Sequence, residues 1–121
     1  MNFTDFLGMR VSERHEDGVT VECRLKRFYF NPDGSLHGGL IATIADEAVW
    51  FAIESARQET PRATTVELKV NYLRAVRQTR TLRARAKMVK SGRTLCVGTV
   101  EMADERGVLC AIATVTYMIL E

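Results

Sequence analysis

The chain has 121 residues, of which 46% are apolar and 26% charged, which suits one compact domain over residues 1–121 and is too little for two. The chain contains seventeen Lys and Arg residues and fifteen Asp and Glu residues, so its net charge of +2 gives no protein-wide signal for a polyanion partner. No apolar run approaches the about 18 residues of a membrane span, and the first residues lack the basic start of an export signal. We therefore expect a cytoplasmic protein without membrane contact.

The cysteines give no sign of a metal site or a disulfide framework. The chain has an odd number of cysteines, which lie far apart and have no C-x-x-C spacing: Cys23, Cys96 and Cys110. All three fall in strand-like stretches, where cysteine behaves as a small apolar residue. We expect reduced, buried or half-buried thiols.

The first quarter of the chain predicts a short helix followed by a β-hairpin. Residues 2–8 favour the helix. Residues 19–25 alternate between apolar and polar, and the turn residues Glu16-Asp17-Gly18 join them to a partner strand over residues 9–15.

A long apolar helix follows, and strands return after it. From Gly38 to about Ala56, apolar residues cover nearly all of a helical wheel, which predicts a buried helix. The alternating stretches beyond it are residues 66–72, 82–88, 94–103 and 108–119. Tight turns join the last three into an antiparallel meander. The sequence thus predicts an α+β fold: a curved antiparallel sheet of about five to six strands around one long central helix.

The start of the central helix has the chemistry of an anion site. At Leu36-His37-Gly38-Gly39, the glycines leave backbone amides bare and the helix dipole adds partial positive charge. Such a helix end can hold a carbonyl oxygen that becomes negative during attack. The alternative is that the glycines only let the chain turn into the helix beside a crowded sheet.

Two acids, Asp46 and Glu47, interrupt the apolar helix. A charged group there is costly unless it is paired or solvated. Both acids can be surface salt-bridge residues, but the small side chains of Ala45 and Ala48 leave room for a substrate beside Asp46. Glu47 lies about 100° further round the helix, so we expect it to point elsewhere in a structural role.

These features carry a family resemblance. The run Asn31-Pro32-Asp33-Gly34-Ser35-Leu36-His37-Gly38-Gly39, with Asp46 seven residues after the second glycine, resembles the signature of hotdog-fold acyl-CoA thioesterases of the phenylacetate-degradation (PaaI-like) type. Tyr72-Leu73-Arg74 and Lys90-Ser91-Gly92-Arg93 are similar to strand ends of that family, so the likeness covers most of the chain. It implies a hotdog fold and hydrolysis of an acyl-CoA to free acid and CoA, without a metal or redox cofactor.

The resemblance also implies roles at the helix start. Gly38 would donate its amide to the thioester carbonyl, with Gly39 beside it contacting the substrate. His37 would shape the same turn, and Asn31 would position the thioester or the water. Asn31 and His37 are also ordinary turn and helix-end residues, so a structural role remains open for both.

For the attacking water, the resemblance points to Asp46 and a hydroxyl residue. Asp46 would be the general base or, alternatively, the nucleophile. The hydroxyl would come from the strand after the helix, where Thr65 is the first choice and Thr64 the second.

Basic residues concentrate in one part of the chain. No acid lies between positions 68 and 100, whereas this stretch contains Lys69, Arg74, Arg77, Arg80, Arg83, Arg85, Lys87, Lys90 and Arg93. The stretch is either a solvated sheet face or, as the resemblance implies, a surface for the phosphates of coenzyme A, to which Arg74, Lys90 and Arg93 would contribute. Nucleic acid would require interleaved aromatic residues, and only Tyr72 is near, so no such partner is expected.

Aromatic residues supply candidates for an acyl pocket, with plain core as the alternative. They are Trp50 and Phe51 in the helix and Phe28 and Phe30 before it. Two other functions compete with hydrolysis: a non-catalytic acyl-CoA-binding or regulatory module, and a hydratase or dehydratase, for which only His37 can supply the required histidine.

Helix geometry predicts that the site is shared between two chains. Asp46 comes eight residues after Gly38, which separates their backbones by about 12 Å along one helix. Its carboxylate cannot reach a carbonyl held at the first turn of its own helix. If both groups act on one thioester, they come from two antiparallel helices, as the resemblance also implies. We therefore expect a homodimer, or a homotetramer made of two such dimers.

Overall fold

In the computed structural model, which describes residues 1–120, one long helix lies against the inner face of a six-stranded antiparallel sheet. The elements in chain order are α1 (Phe3–Leu7), β1 (Met9–His15), β2 (Gly18–Arg24), a 3₁₀ turn (Arg27–Tyr29), α2 (Gly38–Arg57), β3 (Arg62–Tyr72), β4 (Thr81–Ser91), β5 (Leu95–Asp104) and β6 (Leu109–Leu120). The strand order is β1-β2-β4-β5-β6-β3, so β1 and β3 are the edges. The predicted α+β architecture is confirmed.

Helix α2 buries one stripe of its surface. The buried residues follow the spacing of a helix face: Ile41, Ile44, Ala45, Ala48, Val49, Ala52 and Ile53. The helix packs tightly on the sheet at Gly98 of β5, where an added β-carbon would lie 3.0 Å from the methyl groups of Val49. Because the sheet covers only one side, Leu40, Trp50 and Phe51 remain half-buried. The prediction of burial on nearly all faces is therefore wrong for the single chain.

Strand β3 differs most from its predicted form. It begins at Arg62, and the stretch predicted to be half-buried is largely exposed, with Val66 at 50% and Tyr72 at 55%. A β-bulge between Thr65 and Glu67 shifts the alternation of side chains. As an edge strand, β3 has a neighbour on one side only, and α2 covers little of its inner face. This leaves an unpaired strand edge with apolar side chains beside it.

The prediction about the cysteines is confirmed. Cys23, Cys96 and Cys110 are buried free thiols. Within residues 1–120, no helix combines the length and apolarity that a membrane span needs, and no group of three or more potential metal ligands occurs.

Candidate active site

Two hydroxyl groups hold the carboxylate of Asp46. Thr65 Oγ1 donates a hydrogen bond to Asp46 Oδ1 at 2.8 Å. The phenol oxygen of Tyr117 lies 2.8 Å from the same Oδ1 and 3.0 Å from the backbone oxygen of Asp46, so its proton is shared between these two acceptors. Within residues 1–120, Asp46 Oδ2 accepts no hydrogen bond. One carboxylate oxygen is thus saturated and the other is available.

The register of two neighbouring strands creates this arrangement. Thr65 of β3 and Tyr117 of β6 are directly opposite each other, so their side chains share the inner face of the sheet under α2. The bulge after Thr65 lets this residue and Leu68 both point inward. Thr64 is exposed on the other side of the strand. Of the two predicted hydroxyls, Thr65 is the one beside Asp46.

Aromatic packing encloses the Tyr117 side of the cluster. Tyr117 is 5% exposed, and its ring lies 5.8 Å from the Trp50 ring, centroid to centroid, at an angle of 31°. Burial raises the pKa of the Tyr117 phenol well above its usual range, and the negative charge of Asp46 adds to this. The phenol therefore stays protonated and remains a hydrogen-bond donor at neutral pH.

The start of α2 offers one unused amide. His37 is the N-cap residue, and its Nδ1 accepts a hydrogen bond from the Gly39 amide at 3.0 Å, which assigns the proton of a neutral ring to Nε2. An added β-carbon at position 39 would lie 3.2 Å from the His37 ring, so a larger residue there would require the ring to shift. Within the described chain, the Gly38 amide has no acceptor. Gly38 therefore presents the N–H that can bind an oxyanion, while the Gly39 amide is occupied by the cap.

Tyr72 and Asn31 flank this helix start. The Tyr72 phenol donates to the Gly38 backbone oxygen at 2.7 Å, and its ring lies 3.6 Å from where a Gly38 β-carbon would be. Asn31 is half-buried in the preceding loop, where its Nδ2 donates to Ser35 Oγ at 3.2 Å. The predicted residues Asn31, His37 and Gly38 thus lie together at one end of α2.

The structure does not bring Asp46 to that end. The helix is continuous between Gly38 and Asp46, so the separation of about 12 Å along its axis stands. One chain therefore holds two separate candidate half-sites: the helix start with its free amide, and the carboxylate cluster formed by Asp46, Thr65 and Tyr117.

Glu47 differs from its neighbour in its surroundings. It lines a surface cleft together with Phe3, Trp50 and Glu54. Burial raises the pKa of the Glu47 carboxyl, and repulsion from Asp46 and Glu54 acts in the same direction. Neither Thr65 nor Tyr117 donates to it.

The basic stretch is partly neutralised by acids from other parts of the chain. Four of its members form ion pairs, which are Arg77 with Asp33, Arg80 with Glu105, Arg83 with Glu22 and Arg85 with Asp17. The three predicted substrate-binding residues Arg74, Lys90 and Arg93 are exposed and form no ion pair within residues 1–120.

These three residues lie at opposite ends of α2. Arg74 follows β3, whose last residue Tyr72 contacts the helix start. Lys90 lies near the end of β4 and Arg93 in the β4–β5 turn that follows. Arg57 holds this turn to the end of α2 through a 2.6 Å hydrogen bond to the Gly92 oxygen. A 20-residue helix spans about 30 Å, so one chain does not gather all three around one ligand.

The four aromatic candidates for the acyl pocket also lie in different parts of the chain's surface and core. Trp50 is half-buried against Tyr117, and Phe51 and Phe30 are half-buried beside the core. Phe28 is 72% exposed with its ring edge-on to Tyr29. Only Trp50 adjoins the carboxylate cluster.

Tyr117 is the site residue that the sequence analysis missed. An inward-facing tyrosine on β6 needs an acceptor for its hydroxyl, and that requirement was the available signal. Identifying the acceptor required the pairing of β3 with β6, which local sequence does not contain.

A single long helix against a curved six-stranded antiparallel sheet is the arrangement of the hotdog fold. The family model of the Thioesterase superfamily matches residues 33–111, more than half of the chain. The chain belongs to the Thioesterase superfamily.

Individual relatives agree with this assignment. The chain is 32% identical over 113 residues to a putative esterase of Deinococcus radiodurans, covering 93% of this chain and 75% of the relative. It is 32% identical over 97 residues to the medium/long-chain acyl-CoA thioesterase YigI of Escherichia coli, covering 69% and 62%. The fold matches that of the PaaI protein from the phenylacetic acid degradation operon of Escherichia coli with a TM-score of 0.86 at 21% identity, covering 98% and 83%. The hotdog fold is confirmed, and the predicted resemblance to thioesterases is confirmed at the level of the superfamily.

Proposed function

We propose that this protein is an acyl-CoA thioesterase that hydrolyses its substrate to a free acid and coenzyme A. The observation that carries the proposal is the Asp46 carboxylate, which Thr65 and Tyr117 bind through Oδ1 while Oδ2 remains free. A carboxylate held in this way is a positioned base in a partly buried site. The proposal rests on this geometry together with membership of the superfamily.

The proposed reaction uses water as its only co-reactant. Asp46 Oδ2 accepts a proton from water while the water oxygen forms a bond to the thioester carbon. The Gly38 amide of the other subunit stabilises the negative carbonyl oxygen. When the carbonyl reforms, the carbon–sulfur bond breaks and the CoA thiolate leaves with the electron pair. Direct attack by Oδ2, followed by hydrolysis of the resulting anhydride, is the alternative use of the same carboxylate. No metal or redox cofactor is part of either route.

The proposed enzyme is a homodimer with two shared sites. The free edge of β3 carries Leu68 and Tyr72 on its inner face, 37% and 55% exposed in the single chain. Pairing of two β3 edges around a twofold axis would extend the sheet and cover these side chains. With the helices antiparallel, the start of one α2 would lie beside Asp46 of the other.

The same arrangement accounts for the positions of the basic candidates. Antiparallel helices bring the β4–β5 turn of one subunit toward the helix start of the other. Lys90 and Arg93 from one chain and Arg74 from its partner would then approach one CoA molecule, whose phosphates suit arginine and lysine.

The test of the proposal is Asp46→Asn with Glu47→Gln as the matched control. Asparagine retains an oxygen for the Thr65 and Tyr117 hydrogen bonds and replaces only the free Oδ2, so the fold should persist. We expect a loss of about 10²–10⁴-fold in thiol release from acyl-CoA, the usual contribution of a positioned base. Glu47→Gln removes an adjacent acid outside the cluster and should retain activity.

The assay follows free thiol across a panel of aromatic and aliphatic acyl-CoAs, with folding checked by circular dichroism. If folded Asp46→Asn hydrolyses within a few-fold of the wild type, Asp46 is not the base. If the wild type binds acyl-CoA and releases no thiol, the protein is a binding module instead of an enzyme.

A further inference from the structure

The Tyr117 hydroxyl has a position that packing alone does not require. The ring is anchored on the inner face of β6 against Trp50, and that contact would be the same for phenylalanine. The hydroxyl instead reaches across to α2 and contacts Asp46 at both Oδ1 and the backbone oxygen. It therefore links the side chain of Asp46 to the turn of helix that carries it.

Thr65 and Tyr117 approach the same carboxylate oxygen from two strands. A carboxylate with one donor can rotate about its Cβ–Cγ bond and change the direction of its second oxygen. With two donors at 2.8 Å on Oδ1, such a rotation would strain or break both hydrogen bonds. The pair therefore fixes the plane of the carboxylate and, with it, the direction in which the second oxygen is presented to a ligand.

We propose that Tyr117 is a positioning residue that locks the Asp46 carboxylate with Oδ2 directed to the attacking water. The inference rests on the proposed function and adds a second hydroxyl to the one that the family resemblance implies. Tyr117 does not contact the substrate in this assignment, so it acts on the rate of the chemical step and hardly on substrate affinity.

The experiment compares Tyr117→Phe with Tyr29→Phe. Tyr29 is also buried and also donates its phenol proton to a backbone oxygen, that of Leu7 at 2.6 Å, but it lies outside the carboxylate cluster. Both variants lose one buried hydroxyl and keep the ring, so a general loss of stability should appear in both. Steady-state hydrolysis of one acyl-CoA is measured from acid to neutral pH for the two variants and the wild type.

We expect Tyr117→Phe to lower kcat about tenfold to a hundredfold, the rate equivalent of losing one hydrogen bond to a charged group, with little change in KM. The acid limb of its kcat/KM profile should move to higher pH, because a carboxylate that loses a donor is harder to ionise. Tyr29→Phe should keep the kcat and the profile of the wild type. Incorporating 3-fluorotyrosine at position 117, which keeps the ring and gives a more acidic hydroxyl, should move the acid limb the opposite way.

Each outcome decides between the two proposals. If the wild type hydrolyses acyl-CoA but Tyr117→Phe matches Tyr29→Phe in kcat and profile, the positioning role is overturned and the proposed function stands. A rise in KM without a fall in kcat would also overturn it, since that result assigns Tyr117 to substrate binding. If Tyr117→Phe does not fold, an acid limb unmoved by 3-fluorotyrosine overturns the role by itself. A wild type that releases no thiol overturns both proposals.

Discussion

The two half-sites within one chain make a strong prediction about mixed dimers. Asn31→Ala damages the half-site at the start of α2, and Asp46→Asn damages the carboxylate cluster. Each homodimer of either variant carries the same lesion in both of its sites and should be inactive. We expect activity to return when the two variants are unfolded together and refolded as a mixture.

The size of the recovery follows from twofold symmetry. Random pairing makes about half of the dimers mixed. In a mixed dimer, one site combines the intact helix start of the Asp46→Asn chain with the intact Asp46 of the Asn31→Ala chain. The other site carries both lesions. About a quarter of all sites are therefore restored, and the specific activity should reach about a quarter of that of the wild type.

The assay is thiol release from acyl-CoA by the refolded mixture, with each variant refolded alone as the control. Differently tagged variants allow the mixed dimers to be isolated and counted. If isolated mixed dimers are as inactive as their parents, the site lies within one chain and the geometric reasoning from α2 is refuted.

Two further predictions concern substrate affinity and stability. Arg93→Ala should raise KM for an acyl-CoA about tenfold and leave KM unchanged for the same acyl group on a short thiol without phosphates. The control is Arg14→Ala, which removes another exposed arginine. Equal effects on both thioesters would contradict phosphate binding. Asp104 is buried and accepts hydrogen bonds from the amides of Arg106 and Val108 and from the Arg106 guanidinium. Burial raises the pKa of the Asp104 carboxyl, but the three donors outweigh burial and hold this pKa below its usual value. The stabilisation from ionised Asp104 is present above the pKa that this carboxyl has in the unfolded chain, and it is lost as the pH falls through its pKa in the folded protein. Asp104→Asn should therefore lower the free energy of unfolding by about 1–3 kcal/mol at neutral pH and by little at strongly acidic pH. Urea unfolding at both pH values checks this, and a difference independent of pH would contradict it.

Local patterns account for most of the fold. The β1–β2 hairpin and the β4-β5-β6 meander were predictable because alternation and turn residues are encoded in neighbouring positions. The exposure of Val66 was not, because it depends on β3 becoming an edge strand and on the bulge beside it. Both are properties of long-range pairing between β3 and β6.

The candidate site likewise contains residues that local sequence predicts and residues that depend on long-range pairing. Asp46 and Gly38 were predictable as candidates, since a carboxylate within an apolar helix and glycines at its start each conflict with simple packing. The sequence left the choice between Thr64 and Thr65 open, and the sheet register places Thr65 beside Asp46. Tyr117 lies 71 positions from Asp46, and no local pattern connects them. The catalytic roles of these residues stay predictions.

The adjacent acids Asp46 and Glu47 show how the carboxyl groups of neighbouring helix positions come to lie in different surroundings. Both are half-buried, and burial alone disfavours the charged form of a carboxylate. Asp46 receives two hydroxyl donors from the sheet, whereas burial and the charges of Asp46 and Glu54 raise the pKa of the Glu47 carboxyl. A rotation of about 100° between successive helix positions separates the two environments. The sheet below α2, through Thr65 and Tyr117, therefore holds the carboxylate of Asp46 and not that of Glu47, and the helix itself supplies only the position.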